Sequence, residues 1–275
     1  MPLAMYDQTT IRYEEKGNGE PLIMIHGVGL DHTMWDQQVK DLSKEFRVIV
    51  YDMVGHGGSE HPPGPYSLAQ FVEQLEALMN HLHIEKSHLI GFSMGGMVAQ
   101  AFALKHKEKL KTLTIMNAVA NRTEEQRKAI LKRVAEVKNT GPAVTIEPAI
   151  GRWFNQEYLI NHEDTVNRIR KRLLTNDPAS YLAAYSLFAA ADEELWLKLH
   201  EINLPTFIMT GENDIGSNPE MAKQMHEKIA HSELLIVPEV KHMLPVEKAE
   251  IVNEAIRMFI RKHTESGNEG RDECD

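Results

Sequence analysis

Short apolar runs that alternate with longer helical patterns predict an α/β fold, built on a mostly parallel sheet of eight strands. Two further observations sharpen that class. The strand signal vanishes between Asn121 and Leu195, and a G-x-S-x-G pattern stands between an apolar run and a helical one.

The expected strands run in order from an opening antiparallel pair, Ala4 to Tyr6 and Ile11 to Lys16, to Leu22 to Ile25 and Arg47 to Tyr51. Ser87 to Gly91 and Thr112 to Met116 follow, and Thr206 to Thr210 and Glu233 to Val237 come last. Each late strand leads through a polar loop into a helical pattern, around Pro219 to Ala230 and Val246 to His263. Residues 121–195 carry helical segments such as Glu124 to Lys138, Asp164 to Leu174 and Ala179 to Ala191, and are expected to form an inserted helical cap. An insertion there lies over the carboxyl ends of the parallel strands, where open α/β sheets place ligands. Residues 1–120 and 196–262 are then the core, and 263–275 an acidic, disordered tail with no apolar face to bury.

Composition excludes several classes. With 30 Lys+Arg against 40 Asp+Glu the formal net charge is -10, which offers no basic face for a nucleic-acid backbone. Cys274 is the only cysteine, so neither an internal disulfide nor a cysteine nucleophile in a folded site is expected. The opening segment lacks a basic region followed by an apolar run, and no stretch approaches the ~20 apolar residues of a membrane span. A cytoplasmic chain without membrane or nucleic-acid partners is the expectation.

The G-x-S-x-G pattern is Gly91-Phe-Ser93-Met-Gly95. A serine on a sharp strand-to-helix turn lifts its hydroxyl above the sheet, and small residues at Gly91 and Gly95 permit close backbone approach. An alcohol is a poor nucleophile near neutral pH, so Ser93 needs a base and donors for the oxyanion. The loop His26-Gly27-Val28-Gly29 after the third strand can aim free amides at Ser93, which makes Val28 N–H and Met94 N–H the expected pair. His26 itself is expected to satisfy local backbone groups only.

Fourteen histidines compete for the base, and chain order narrows them. The order serine, acid, histidine puts an acid after the seventh strand and a histidine after the eighth, which selects Asp214 and His242. Glu212 and Asn213 are neighbouring alternatives, and Asp214 could instead cap the helix near Pro219. Asp52 and Gly55-His56-Gly57-Gly58-Ser59 are expected to build a tight turn. His81 and His83 have no metal-ligand spacing, and no Walker or G-x-G-x-x-G pattern follows a strand, so no metal and no cofactor are expected.

These residues resemble the α/β-hydrolase superfamily and, within it, the 3-oxoadipate enol-lactone hydrolase and carboxylesterase group. The likeness spans Pro21 to about Ile260. It is carried by His26-Gly-Val-Gly with Met34-Trp35-Asp36, by Tyr51-Asp52 with Gly55-His56-Gly57, by Gly91-Phe-Ser93-Met-Gly-Gly-Met, by Arg152-Trp153-Phe154, and by His242 with Glu247. Lys241, Val54 and Ser217-Asn218 depart from the group's usual residues, which bears on substrate more than on mechanism. The resemblance implies catalytic roles for Ser93, Asp214 and His242 and a small-molecule ester or lactone as substrate. Carbon-carbon bond hydrolysis, perhydrolysis and a ligand receptor that retains the triad are the alternatives. Ser93 speaks against epoxide hydrolase and dehalogenase chemistry, which uses aspartate at that turn. Trp153 and Arg152 are candidate substrate contacts, an apolar wall and a carboxylate partner; the plainer readings are a cap-to-core anchor and a surface ion pair.

Overall fold

Burial decides which apolar runs become which strands. In the computed structural model, which describes residues 2–7 and 9–265, β5 (Ser87–Phe92) and β7 (Thr206–Gly211) are buried at every position. Strands covered on both faces read as unbroken apolar runs. Among the described residues the remaining strands are β1 (Leu3–Tyr6), β2 (Thr9–Lys16), β3 (Pro21–Ile25), β4 (Arg47–Tyr51), β6 (Leu110–Met116) and β8 (Ser232–Val237). They form one eight-stranded sheet in the order β1-β2-β4-β3-β5-β6-β7-β8. The β1–β2 and β2–β4 pairs are antiparallel, and every other pair is parallel.

This order contains a reversal. The chain passes from β3 outward to β4, then returns to place β5 on the other side of β3. The crevice beyond the carboxyl ends of β3 and β5 is the switch point at which such sheets bind ligands. Helices α1 (Asp36–Leu42), α2 (Leu68–His81) and α3 (Met94–Lys105) connect the first strands. Capping starts several helices: Ser67 Oγ accepts from Gln70 N at α2, and Thr123 and Gln126 form a capping box at α4 (Glu124–Thr140).

Between β6 and β7 the chain continues from α4 into α5 (Ile146–Trp153), α6 (Gln156–Asn161), α7 (Glu163–Leu174), α8 (Pro178–Ala190) and α9 (Asp192–Lys198). The boundary expected after residue 195 falls inside α9, where Leu195 packs with Met97 of α3 and Met221. After β7 come α10 (Pro219–Lys228), α11 (Leu244–Glu247) and α12 (Ala249–Glu265). The single helix expected from Val246 to His263 is thus two, because Lys248 leaves the helical region at φ −129°, ψ 44°. The expected tail from residue 263 also needs correction. His263 continues α12, packs its ring at a tilt against Phe259 and meets Glu233 at 3.1 Å, while residues 266–275 of that tail lie outside the described residues. Among the described residues no helix is long and apolar enough to cross a membrane.

Candidate active site

Ser93 follows β5 directly at φ 54°, ψ −117°, a left-handed conformation that a non-glycine residue keeps only where its surroundings fix it. Here they do. Ser93 N–H donates to Met116 O at 2.9 Å, and Ser93 O accepts from Gly96 N at 3.0 Å. The glycines are required by contact: a Cβ on Gly91 would stand 2.2 Å from Gly95 O, and one on Gly95 2.4 Å from Ile25 O. The turn therefore projects the serine hydroxyl upward while β3, β5 and α3 close beneath it.

The loops after β7 and β8 meet the same way. A Cβ on Gly211 would lie 2.3 Å from Lys241 O, and Asn213 N–H donates to Val240 O at 2.9 Å. That approach brings Asp214 Oδ2 to 2.7 Å from His242 Nδ1, and His242 Nε2 to 3.2 Å from Ser93 Oγ. A carboxylate only accepts, so Nδ1 carries the hydrogen and Nε2 is left as acceptor for the serine hydroxyl. All three side chains are buried, and His242 lies between the rings of Phe92 and Trp153.

Asp214 is held charged. Burial raises its carboxyl pKa, but the His242 charge and hydrogen bonds from His242, Asn117 and Ser217 N–H outweigh that and keep it below the usual range. Of the neighbouring alternatives, Glu212 and Asn213 are exposed, and Glu212 takes a bond from Glu239 N–H instead. Asn218, not Asp214, caps α10 through Met221 N–H. Asn117, at φ 46° just after β6, was not singled out by sequence reasoning; it donates to Asp214 Oδ2 at 2.9 Å. Its position at a strand's carboxyl end was the available signal.

The loop after β3 lies against the serine, since a Cβ on Gly27 would be 3.3 Å from Ser93 Cβ. His26 is buried and serves the backbone, with Nδ1 against Gly27 O at 2.8 Å and Nε2 accepting from Met53 N–H. Among the described residues, neither Val28 N–H nor Met94 N–H donates to a protein acceptor. Asn176 Nδ2 donates to Gly29 O at 2.8 Å, tying this loop to the helices above it.

A cavity of about 200 Å³ opens over Ser93, Asp214, His242 and Val28. Its upper wall comes from the segment between β6 and β7: Arg122 from the loop before α4, and Arg133, Arg152, Trp153 and Tyr181 from its helices. Trp153 also joins that wall to the loop that carries His242, because its carbonyl accepts from Met243 N–H at 3.0 Å. Phe154 is fully buried in the core. Arg122 pairs with Asp192 at 2.6 Å, a carboxylate it shares with Arg127 at 3.1 Å. Arg152 has no ion-pair or hydrogen-bond partner among the described residues, so the surface pair considered for it does not form there.

Known proteins share this arrangement of chain. A family model described as alpha/beta hydrolase fold matches residues 20–249. An (E)-2-((N-methylformamido)methylene)succinate hydrolase from Acinetobacter baylyi is 29% identical over 258 residues, covering 94% of this chain and 97% of its own. The crystal structure of the enol-lactonase from Burkholderia xenovorans superposes with a TM-score of 0.88 at 26% identity, over 94% of this chain and 99% of that one. A thermophilic esterase from Thermogutta terrifontis, solved with malate bound, gives a TM-score of 0.85 at 33% identity, over 93% and 94%. With a family match across most of its length and an eight-stranded, mostly parallel sheet to support it, the chain belongs to the α/β-hydrolase fold family.

Proposed function

We propose that this protein hydrolyses a small carboxylic ester or lactone through an acyl-enzyme on Ser93. The observation that carries this reading is the hydrogen-bonded relay from Asp214 through His242 to Ser93, opening into a cavity of about 200 Å³. Likeness to an enol-lactonase and an esterase supports the ester and lactone class.

Ser93 Oγ attacks the carbonyl carbon while its proton passes to His242 Nε2. Asp214, fixed by Asn117 and Ser217, stabilises the imidazolium and keeps Nδ1–H pointed at itself. The oxyanion takes hydrogen bonds from Val28 N–H and Met94 N–H, with the positive end of α3 adding to them. His242 returns the proton to the departing oxygen, then draws one from water as that water attacks the acyl carbon; the bond from that carbon to Ser93 Oγ breaks, Oγ takes the proton back from His242, and the acid leaves. In a lactone the departing oxygen stays attached to the acyl chain, so a single hydroxy or keto acid leaves. Residues 121–195 act as the cap, with Trp153 as an apolar wall and Arg152 as partner for a substrate carboxylate.

A fluorophosphonate probe should label Ser93 in the parent and leave Ser93→Ala unlabelled. Nitrophenyl esters and lactones should be turned over by the parent, and Ser93→Ala should lose several powers of ten in kcat. Parent-like turnover by Ser93→Ala, or absence of labelling, would refute the assignment.

A further inference from the structure

We infer that Arg133 and Arg152 form a two-cation wall that selects a substrate bearing two carboxylates besides its reacting ester or lactone. The inference rests on the acyl-enzyme reading for its chemistry, but its basis is charge matching in the cavity.

Three arginines line the cavity, and they are not equivalent. Arg122 is held in place by protein groups: it pairs at 2.6 Å with Asp192, which it shares with Arg127, donates to the Phe188 carbonyl at 3.1 Å, and lies 4.8 Å over the Phe188 ring. Arg133 and Arg152 have no ion-pair or hydrogen-bond partner among the described residues. Arg133 Nε is shielded from solvent without any acceptor, so that donor lacks both water and protein. An orphaned buried donor is costly, and it is the rest of the Arg133 side chain that lines the cavity, where a ligand can reach it. Burial, and then the charge of Arg133, lower the pKa of Arg152, as expected for two guanidinium groups sharing one enclosure.

Among the described residues that line the cavity, none balances them. Asp214 is the one carboxylate among the described residues of the lining, and it is committed to His242 and Asn117. One substrate carboxylate leaves one cation unmatched; two match both. The helix geometry sets where they meet the ligand. Gln126, Ala129, Ile130 and Arg133 recur at helical spacing and turn one face of α4 to the cavity, while Arg152 enters from α5. Two cations on two walls suit two separated carboxylates better than one compact dianion. The volume agrees, because a cavity of ~150 Å³ holds benzene, and the cavity here is somewhat larger, at about 200 Å³.

The test is binding without turnover, by calorimetry at pH 7 on the whole protein, with glutarate, its monoamide glutaramate, and inorganic phosphate as probes. Glutarate should bind the parent about tenfold to 100-fold tighter than glutaramate, the range for one charge-assisted contact. Arg133→Gln should erase that gap and Arg133→Lys should restore part of it, with an unchanged melting temperature certifying each fold. Equal binding of glutarate and glutaramate by the parent would overturn the inference. So would a gap that survives in Arg133→Gln, or phosphate binding as tightly as glutarate, which would indicate a phosphoryl ligand. In kinetics, the 4-nitrophenyl monoester of tricarballylate should exceed that of succinate in kcat/KM, and Arg133→Gln should narrow the ratio. Glutarate binding that depends on Arg133 in a protein inert toward every ester would leave the two-cation wall standing and remove the acyl-enzyme reading alone.

Discussion

Among the described residues stand two buried histidine–aspartate pairs with the same Nδ1 to Oδ separation, 2.7 Å in both His242–Asp214 and His32–Asp52. What differs is the far nitrogen. His242 Nε2 faces the Ser93 hydroxyl beside a cavity, whereas His32 Nε2 faces a second carboxylate, Glu14, at 3.2 Å. Burial lowers the His32 pKa, but its hydrogen bond to Asp52 and the charges of Asp52, Asp31 and Glu14 outweigh that and raise it. Both His32 nitrogens donate, so the ring has no lone pair to offer. A histidine–aspartate pair is thus chemically neutral information until its remaining nitrogen is accounted for.

The largest effect that would break this comparison is on turnover. Asp214→Asn should keep the fold, since an amide oxygen can still accept from Gly216 and Ser217 N–H, yet misorient His242 and lower kcat by up to about 10⁴. Parent-like kcat in that variant would move the acid role to another residue, with Glu212 the first to examine.

Asp52→Asn should act on the other side of the ledger. Asp52 accepts from His32 N, His32 Nδ1 and Gly58 N, and an amide would set a donor against one of these donors. Breaking such a buried pair costs about 3 kcal/mol or more. Thermal melting should register a fall in Tm of roughly 6–12 °C, while kcat well below Tm changes by less than roughly tenfold. A change in kcat as deep as that of Asp214→Asn would erase the distinction between the pairs.

Acid should sharpen the contrast further. Burial depresses His26 to about 4 and His56 to about 3, against an ordinary value of 6.5. Both are lowered in the fold, so the unfolded chain binds their protons first and stability falls as pH drops below about 6.5. His26 alone removes about 3 kcal/mol by pH 4. His32, raised in the fold, opposes them, and Asp52, held near about 2, weakens the fold only as pH falls from its ordinary 3.8 toward that value. Tm should therefore decline from pH 7 to pH 4; a flat profile would contradict neutral burial of His26 and His56.

The strands and the three residues of the relay were legible because each rests on local pattern: unbroken apolar runs, a glycine-flanked serine, and polar loops at successive strand ends. Helices α5 and α6 were not, since Gly141, Pro142, Pro148 and Gly151 interrupt the apolar period that would announce them. Asn117 looks like any turn residue until its partner, 97 positions later, is in place. Arg133 sits in a helix rich in Lys, Arg and Glu, and which of those charges turns inward is decided by the packing of α4 against α8, not by α4 itself. Local signals survive in one dimension, whereas a choice among equivalent charges requires the third.

Sequence distance also gives the relay a history within each molecule. Ser93 and His242 are 149 residues apart, and Asp214 and His242 a further pair 28 apart. At ~5–20 residues per second of synthesis, the serine leaves the ribosome roughly 7–30 s before the histidine that faces it. During that interval its hydroxyl is an ordinary alcohol, indifferent to the metabolites around it. On the acyl-enzyme reading, reactivity arrives only after the last strand of the sheet, so a chain that stalls or misfolds before then carries no activated serine.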